Sequence, residues 1–193
     1  MTDVMMFDQR VFHLRRLSSK ERSSMPARSI RTVDELIAAL RAVQRPSAYI
    51  DLLKRVAVAA DQLEPLCTWN PKRYTRNCLD RTSAYELLLI CYEPGQRTSI
   101  HDFATEEAWV HPVAGSVVEE RFAPAPDGSL KMVGATRLDH RSFSYLHNGR
   151  SIHRYTNDSG ERAITLNLYA KPLRTWKVYD ERTGDTSIRG AGS

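Results

Sequence analysis

Residues 95–115 read GQRTSIHDFATEEAWVHPVAG, and their spacing decides the fold. Pro94-Gly95 opens the stretch as a turn pair, and Thr98-Ser99-Ile100 reads as a short strand leading into His101. Small and acidic residues follow, then the apolar Ala108-Trp109-Val110, and Gly115 closes the stretch. Side chains at i and i+2 of a strand point to one face, so His101 and residue 103 would project together into a common interior. Residue 103 is Phe, which has no lone pair to offer a metal.

Working outward, residues 74–79, 84–92, 98–101, 108–113, 116–122, 130–138, 143–146, 152–156, 163–169 and 175–179 read as strands. Turn chemistry separates them at Pro126-Asp127-Gly128, Asn148-Gly149 and Asn157-Asp158-Ser159-Gly160. Many short strands at this spacing imply an all-β sandwich or barrel. Two helices precede it. Thr32-Val33-Asp34-Glu35 is a capping box, with Leu36, Ile37, Leu40 and Val43 as an apolar stripe. Leu52, Leu53, Val56 and Ala60 repeat the stripe up to Pro65. Both helices are expected to pack against one end of the barrel. The division this implies is a basic, flexible tail over 1–31, a helical segment over 32–68, a barrel over 69–184 and a second flexible tail over 185–193.

The charge balance excludes some functions. The formal charge is +5, and residues 1–31 supply seven basic and three acidic side chains, so the rest is close to neutral and offers no nucleic-acid face. No apolar run approaches the roughly 20 residues needed to cross a bilayer; the longest, 87–92, suits a buried strand. Cys67, Cys78 and Cys91 are odd in number and form no C-x-x-C, which suits a reducing cytoplasm. Residues 1–24 lack the apolar core of a secretory signal.

The spacing of residues 95–115 resembles Gly-x5-His-x-His-x(3,4)-Glu-x6-Gly, the first metal-ligand motif of the cupin (jelly-roll) barrel. Ile152-His153-Arg154, on a strand after the Asn148-Gly149 turn, stands where a cupin's second motif contributes its single His. Tyr74-Thr75-Arg76-Asn77, Ser99-Ile100-His101-Asp102, His153-Arg154, Leu168-Tyr169 and Asp180-Glu181-Arg182-Thr183-Gly184 occur in one order. That ordered set, over about residues 70–184, resembles the cysteine dioxygenase family of thiol dioxygenases.

The resemblance implies a mononuclear Fe(II), a small-molecule thiol substrate and O2, with both oxygen atoms added to sulfur to give cysteine sulfinate. It implies His101 and His153 as metal ligands and Arg76 as the group that holds the substrate carboxylate. It implies Tyr169 as the hydroxyl beside the iron, with Thr165 and Asn167 in place of the Ser and His that orient that tyrosine. Some members crosslink a cysteine to this tyrosine; here that position is Ala108, so no crosslink is expected. Phe103 stands at the second His ligand, and three readings follow. Glu106, Glu107 or His111 could replace it, His111 only if a bulge changes strand parity. Alternatively two His suffice and the substrate completes the sphere, or the metal is lost and the barrel binds a ligand without catalysis. Another small thiol acid as substrate is a further alternative. Asp102 is expected to point outward, and nothing in their spacing draws His13, His140 or His147 into the site.

Overall fold

The computed structural model describes residues 15–16, 28–43, 45, 48–102, 107–147 and 151–190. Phe103, Glu106, His13 and the Asn148-Gly149 turn lie outside the described residues, as does the side chain of His147.

The first helix forms as the capping box requires. In α1 (Val33–Ala42) the Thr32 hydroxyl accepts from the Glu35 N–H at 3.1 Å, and the Glu35 carboxylate accepts from the Arg31 N–H at 2.8 Å. Leu36 and Leu40 are fully buried. The second apolar stripe is not one helix. It divides into α2 (Tyr49–Leu53), α3 (Ala60–Leu63) and a 3-10 turn over Glu64–Leu66. Between α2 and α3 the backbone pairs elsewhere: Ile30 N–H donates to Arg55 O (3.0 Å) and Ala57 N–H donates to Ile30 O (2.8 Å). Those long-range bonds remove donors and acceptors that a continuous helix would need.

Among the described residues the rest is two six-stranded sheets, all of whose strand pairs are antiparallel. One runs in the order β1 (Arg15–Arg16), β8 (Ser142–His147), β5 (Glu107–Ala114), β10 (Ala163–Ala170), β3 (Tyr85–Tyr92) and β2 (Thr75–Arg81). The other runs β12 (Thr186–Gly190), β11 (Thr175–Tyr179), β4 (Ile100–Asp102), β9 (Ile152–Thr156), β6 (Val117–Pro124) and β7 (Leu130–Leu138). This is a cupin-type, two-sheet β fold. Both segments expected as loose tails contribute strands: Arg15–Arg16 pairs with β8, and Thr186–Gly190 pairs with β11 along its whole length. A paired neighbour satisfies backbone groups that the Gly- and Ser-rich composition of the tail says nothing about.

Strand alternation divides the first sheet between two cores. Leu87, Leu89, Cys91, Trp109, Leu166 and Leu168 pack against Leu36, Leu40, Leu52 and Leu63 of the helices. Leu88, Ile90, Tyr92, Ala108, Val110 and Tyr169 face inward with Val117, Leu138 and Tyr155 of the opposite sheet. The helices therefore cover the outer face of the sheet rather than an end of the barrel. β3 and β10 are buried on both sides, which is why 87–92 is continuously apolar. Gly115, at the end of the motif, adopts φ +64°, and a Cβ there would stand 2.5 Å from Arg162 O.

Candidate metal centre and substrate cavity

His101 on β4 and His153 on β9 are register partners. Their ring centroids are 4.5 Å apart with the planes tilted 59°. The same backbone device fixes each ring. His101 Nδ1 lies 2.8 Å from Ser99 O, and His153 Nδ1 lies 2.8 Å from Ser151 O. A carbonyl can only accept, so each Nδ1 carries the proton and donates it, which places the lone pair on Nε2. Removal from water and the neighbouring His153 ring lower the His101 pKa to about 3. Burial lowers that of His153 to about 4. Both imidazoles are neutral at pH 7, the form a metal ion takes.

Behind the pair lies a buried charge. Glu119 of β6 is fully buried, and its Oε2 accepts from the Arg121 guanidinium at 2.8 Å. Its Oε1 accepts from Ser144 Oγ at 2.9 Å and from Tyr155 Oη at 3.2 Å. Tyr155 in turn stands edge-on to His153, with centroids 5.3 Å apart. This network holds the interior wall against which His153 packs.

Of the two histidines, His101 lines a cavity bounded by Tyr74, Arg76, Tyr92, Tyr169 and Trp176, and His153 lies buried beside it. Arg76 is exposed at its mouth and does not sit in a dry pocket; its guanidinium lies over the Trp176 indole, 5.2 Å from the ring centroid. Tyr169 is buried, and burial raises its pKa, so its hydroxyl keeps its proton. Asn167 Nδ2 donates to Tyr169 Oη at 3.4 Å, and Thr165 Oγ1 donates to Asn167 Oδ1 at 2.7 Å. The two residues in the orienting positions thus form a chain leading to the tyrosine. Ala108 is the register partner of Tyr169 across β5 and β10, with a methyl group where a crosslink needs sulfur.

Two of the proposed replacement ligands point away. Glu107, Trp109 and His111 share the outer face of β5, opposite Ala170, Leu168 and Leu166. Tyr145 hydrogen-bonds Glu107, and His111 Nδ1 reaches Ser142 O at 3.1 Å. A bulge does interrupt β5 and β10, but it falls between Ile164 and Thr165, beyond His111, and leaves the parity of His111 outward. Among the described residues no cluster of three or more His, Cys, Asp or Glu side chains is placed to hold a metal ion. Asp102 points away from the histidines, as alternation requires, yet it is buried and accepts from Tyr179 Oη at 2.7 Å. His140 is exposed.

Several cavity residues carried no role in the sequence reading. Tyr74 stood in the Tyr74-Thr75-Arg76-Asn77 run, two residues before Arg76 and so on its face of the strand. Trp176 could have been found by alternation along 175–179. Glu119 gave no signal, because a carboxylate on an inward strand position is invisible until its partners are placed.

The family described as Cysteine dioxygenase type I matches residues 20–182. Cysteine dioxygenase type 1 of Homo sapiens is 32% identical over 116 residues, 58% of this chain and 58% of that protein. The protein of the same name from Danio rerio is 31% identical over 118 residues, with 58% of each covered. The chain therefore spans 58% of the length of these curated relatives. Among solved structures, TT1209 from Thermus thermophilus aligns with a TM-score of 0.48 and 17% identity, covering 56% of this chain and 93% of that one. A double-stranded beta-helix protein from Klebsiella pneumoniae aligns with a TM-score of 0.48 and 13% identity, covering 68% and 89%.

Proposed function

The chain belongs to the cysteine dioxygenase type I family, and from that premise we propose that it is an Fe(II)- and O2-dependent thiol dioxygenase that converts L-cysteine to cysteine sulfinate. The observation that carries the reading is the cross-strand pair His101 and His153, with both Nδ1 protons given to backbone carbonyls. Two neutral imidazoles with Nε2 lone pairs fit Fe(II) in donor type. Bound there, Fe(II) would supply the coordination chemistry that lets sulfur receive both atoms of O2 without an external reductant.

The chain's own residues bind and orient. Ser99 O and Ser151 O hold the histidine tautomers. Arg76 offers a planar pair of donors to the substrate carboxylate, and Trp176 beneath it restricts the guanidinium to the cavity mouth. Tyr169 presents a protonated hydroxyl to the reacting oxygen, steered by Asn167. Phe103 offers no donor, so the remaining position falls to Glu106 or to the substrate's own amine.

The test is anaerobic loading with Fe(II), then L-cysteine and O2, with product analysis. Cysteine sulfinate with equimolar O2 uptake is expected; no O2 uptake with any small thiol sinks the proposal. A second reading, a ligand-binding barrel without catalysis, draws on Phe103 alone. Iron content well below one equivalent after loading would favour it. A 3-mercapto acid would use the same Arg76 contact, and parallel assays with such an acid separate the two substrates.

A further inference from the structure

Tyr92 of β3 is 0% exposed, and its hydroxyl has no hydrogen-bond partner among the described residues. Its ring lines the cavity shared by His101, Arg76 and Tyr169 and stacks on Tyr74, with centroids 5.5 Å apart and planes at 25°. Thr165 is near enough to bear on its titration, and its own proton goes to Asn167 Oδ1 at 2.7 Å, but its oxygen is not placed to accept from Tyr92 with hydrogen-bond geometry. A buried hydroxyl without a partner loses its hydration and gains nothing in exchange. Such a group in a substrate cavity is explained when a ligand supplies the missing acceptor.

We propose that Tyr92 is a substrate-binding residue whose hydroxyl donates to the carboxylate of a small thiol acid, beside the Arg76 guanidinium. This rests on the thiol dioxygenase reading for the identity of the substrate, not for the hydrogen bond itself. The chemistry selects an anionic acceptor. Burial keeps the Tyr92 phenol protonated, so its O–H is available to donate, and a negative group drawn to the nearby Arg76 charge is the strongest acceptor it could meet there. A carboxylate has about four lone-pair directions, so it accepts two N–H bonds from one guanidinium and retains room for a phenol.

Tyr92→Phe removes the hydroxyl and keeps the ring that stacks on Tyr74. Anaerobic calorimetry on the Fe(II)-loaded protein would compare L-cysteine with cysteamine, which lacks the carboxylate. Tyr92→Phe should bind L-cysteine about tenfold more weakly, a loss of about 1.4 kcal/mol, and should bind cysteamine as the parent does. The ligand-free variant should melt at the same temperature as the parent or higher, since an unsatisfied buried group is gone. Unchanged affinity for L-cysteine, an equal loss for cysteamine, or a lowered melting temperature would each overturn the proposal. So would failure of the parent to bind L-cysteine. If the parent binds L-cysteine in a Tyr92-dependent way but consumes no O2, this inference stands and the dioxygenase reading falls. If the parent forms sulfinate and Tyr92→Phe leaves KM unchanged, the reverse holds.

Discussion

His101 and His153 stand directly opposite each other across β4 and β9, and each ring is held by the carbonyl oxygen of the serine two residues before it. One antiparallel pairing therefore brings together two side chains 52 positions apart and gives both the same tautomer. If these are metal ligands, removing either leaves a single imidazole. His153→Ala should lower bound iron from near one equivalent to background after Fe(II) incubation and desalting, read by elemental analysis. His101→Ala should do the same. Full iron content in either variant would mean that the site assignment is wrong.

The same burial has a consequence for pH. His153 titrates near 6.5 when unfolded and about 4 in the fold, with burial as the main cause. As the pH falls below 6.5, the unfolded chain takes up a proton that the folded chain refuses, so stability is full above 6.5 and is lost toward 4. His153 should contribute a loss of about 1–2 kcal/mol between pH 6.5 and 5. His101 and His111 add to it in the same direction. The lowered carboxylates, Glu120 and Asp80 among them, act below that window. Urea unfolding of the metal-free protein at both pH values checks this, and His153→Phe should show a smaller loss than the parent.

Arg76 projects from the edge strand β2 and is fixed in place by the face of Trp176. Arg76→Ala should raise KM for L-cysteine by about 10- to 100-fold, equivalent to about 1.4–2.8 kcal/mol of binding, with kcat changed little. That pattern is expected when a contact serves ground state and transition state alike. Trp176→Ala leaves the charge but frees the side chain, so KM should rise by a smaller factor, about threefold for roughly 0.6 kcal/mol. Steady-state O2 uptake reads both. A fall in kcat with unchanged KM would place Arg76 outside the carboxylate site.

Much of this arrangement is legible in the chain. The bounds read for 152–156 and 175–179 match the strands residue for residue, and the capping box marks the first turn of α1. The two histidines can be paired from their motif positions. What is not legible is decided by distant partners. Val56 looks helical by spacing, but Ile30 pairs with it. Ile188 lies in a Gly- and Ser-rich tail, but the edge of β11 is open to it. The direction of Glu107 and His111 depends on which residue bulges, and alternation alone gives no sign of that. The solitary hydroxyl of Tyr92 is a property of everything around it.

Ala108 and Tyr169 permit a test by gain of chemistry. They are register partners on the inner face, so Ala108→Cys would set a thiol beside the ring of Tyr169. Ala108 is fully buried, and the added sulfur should cost about 1–3 kcal/mol of stability. In an iron- and oxygen-active site, a carbon–sulfur bond should form between the two side chains, each losing one hydrogen atom, with O2 as oxidant. Peptide mapping after incubation with Fe(II), L-cysteine and O2 should then show the peptides containing 108 and 169 joined, with a mass lower by two hydrogen atoms than their sum. The parent chain should show no such product, and neither should Ala108→Cys combined with His153→Ala. A folded Ala108→Cys variant that binds iron, consumes O2 and still forms no link would place Tyr169 away from the oxygen chemistry.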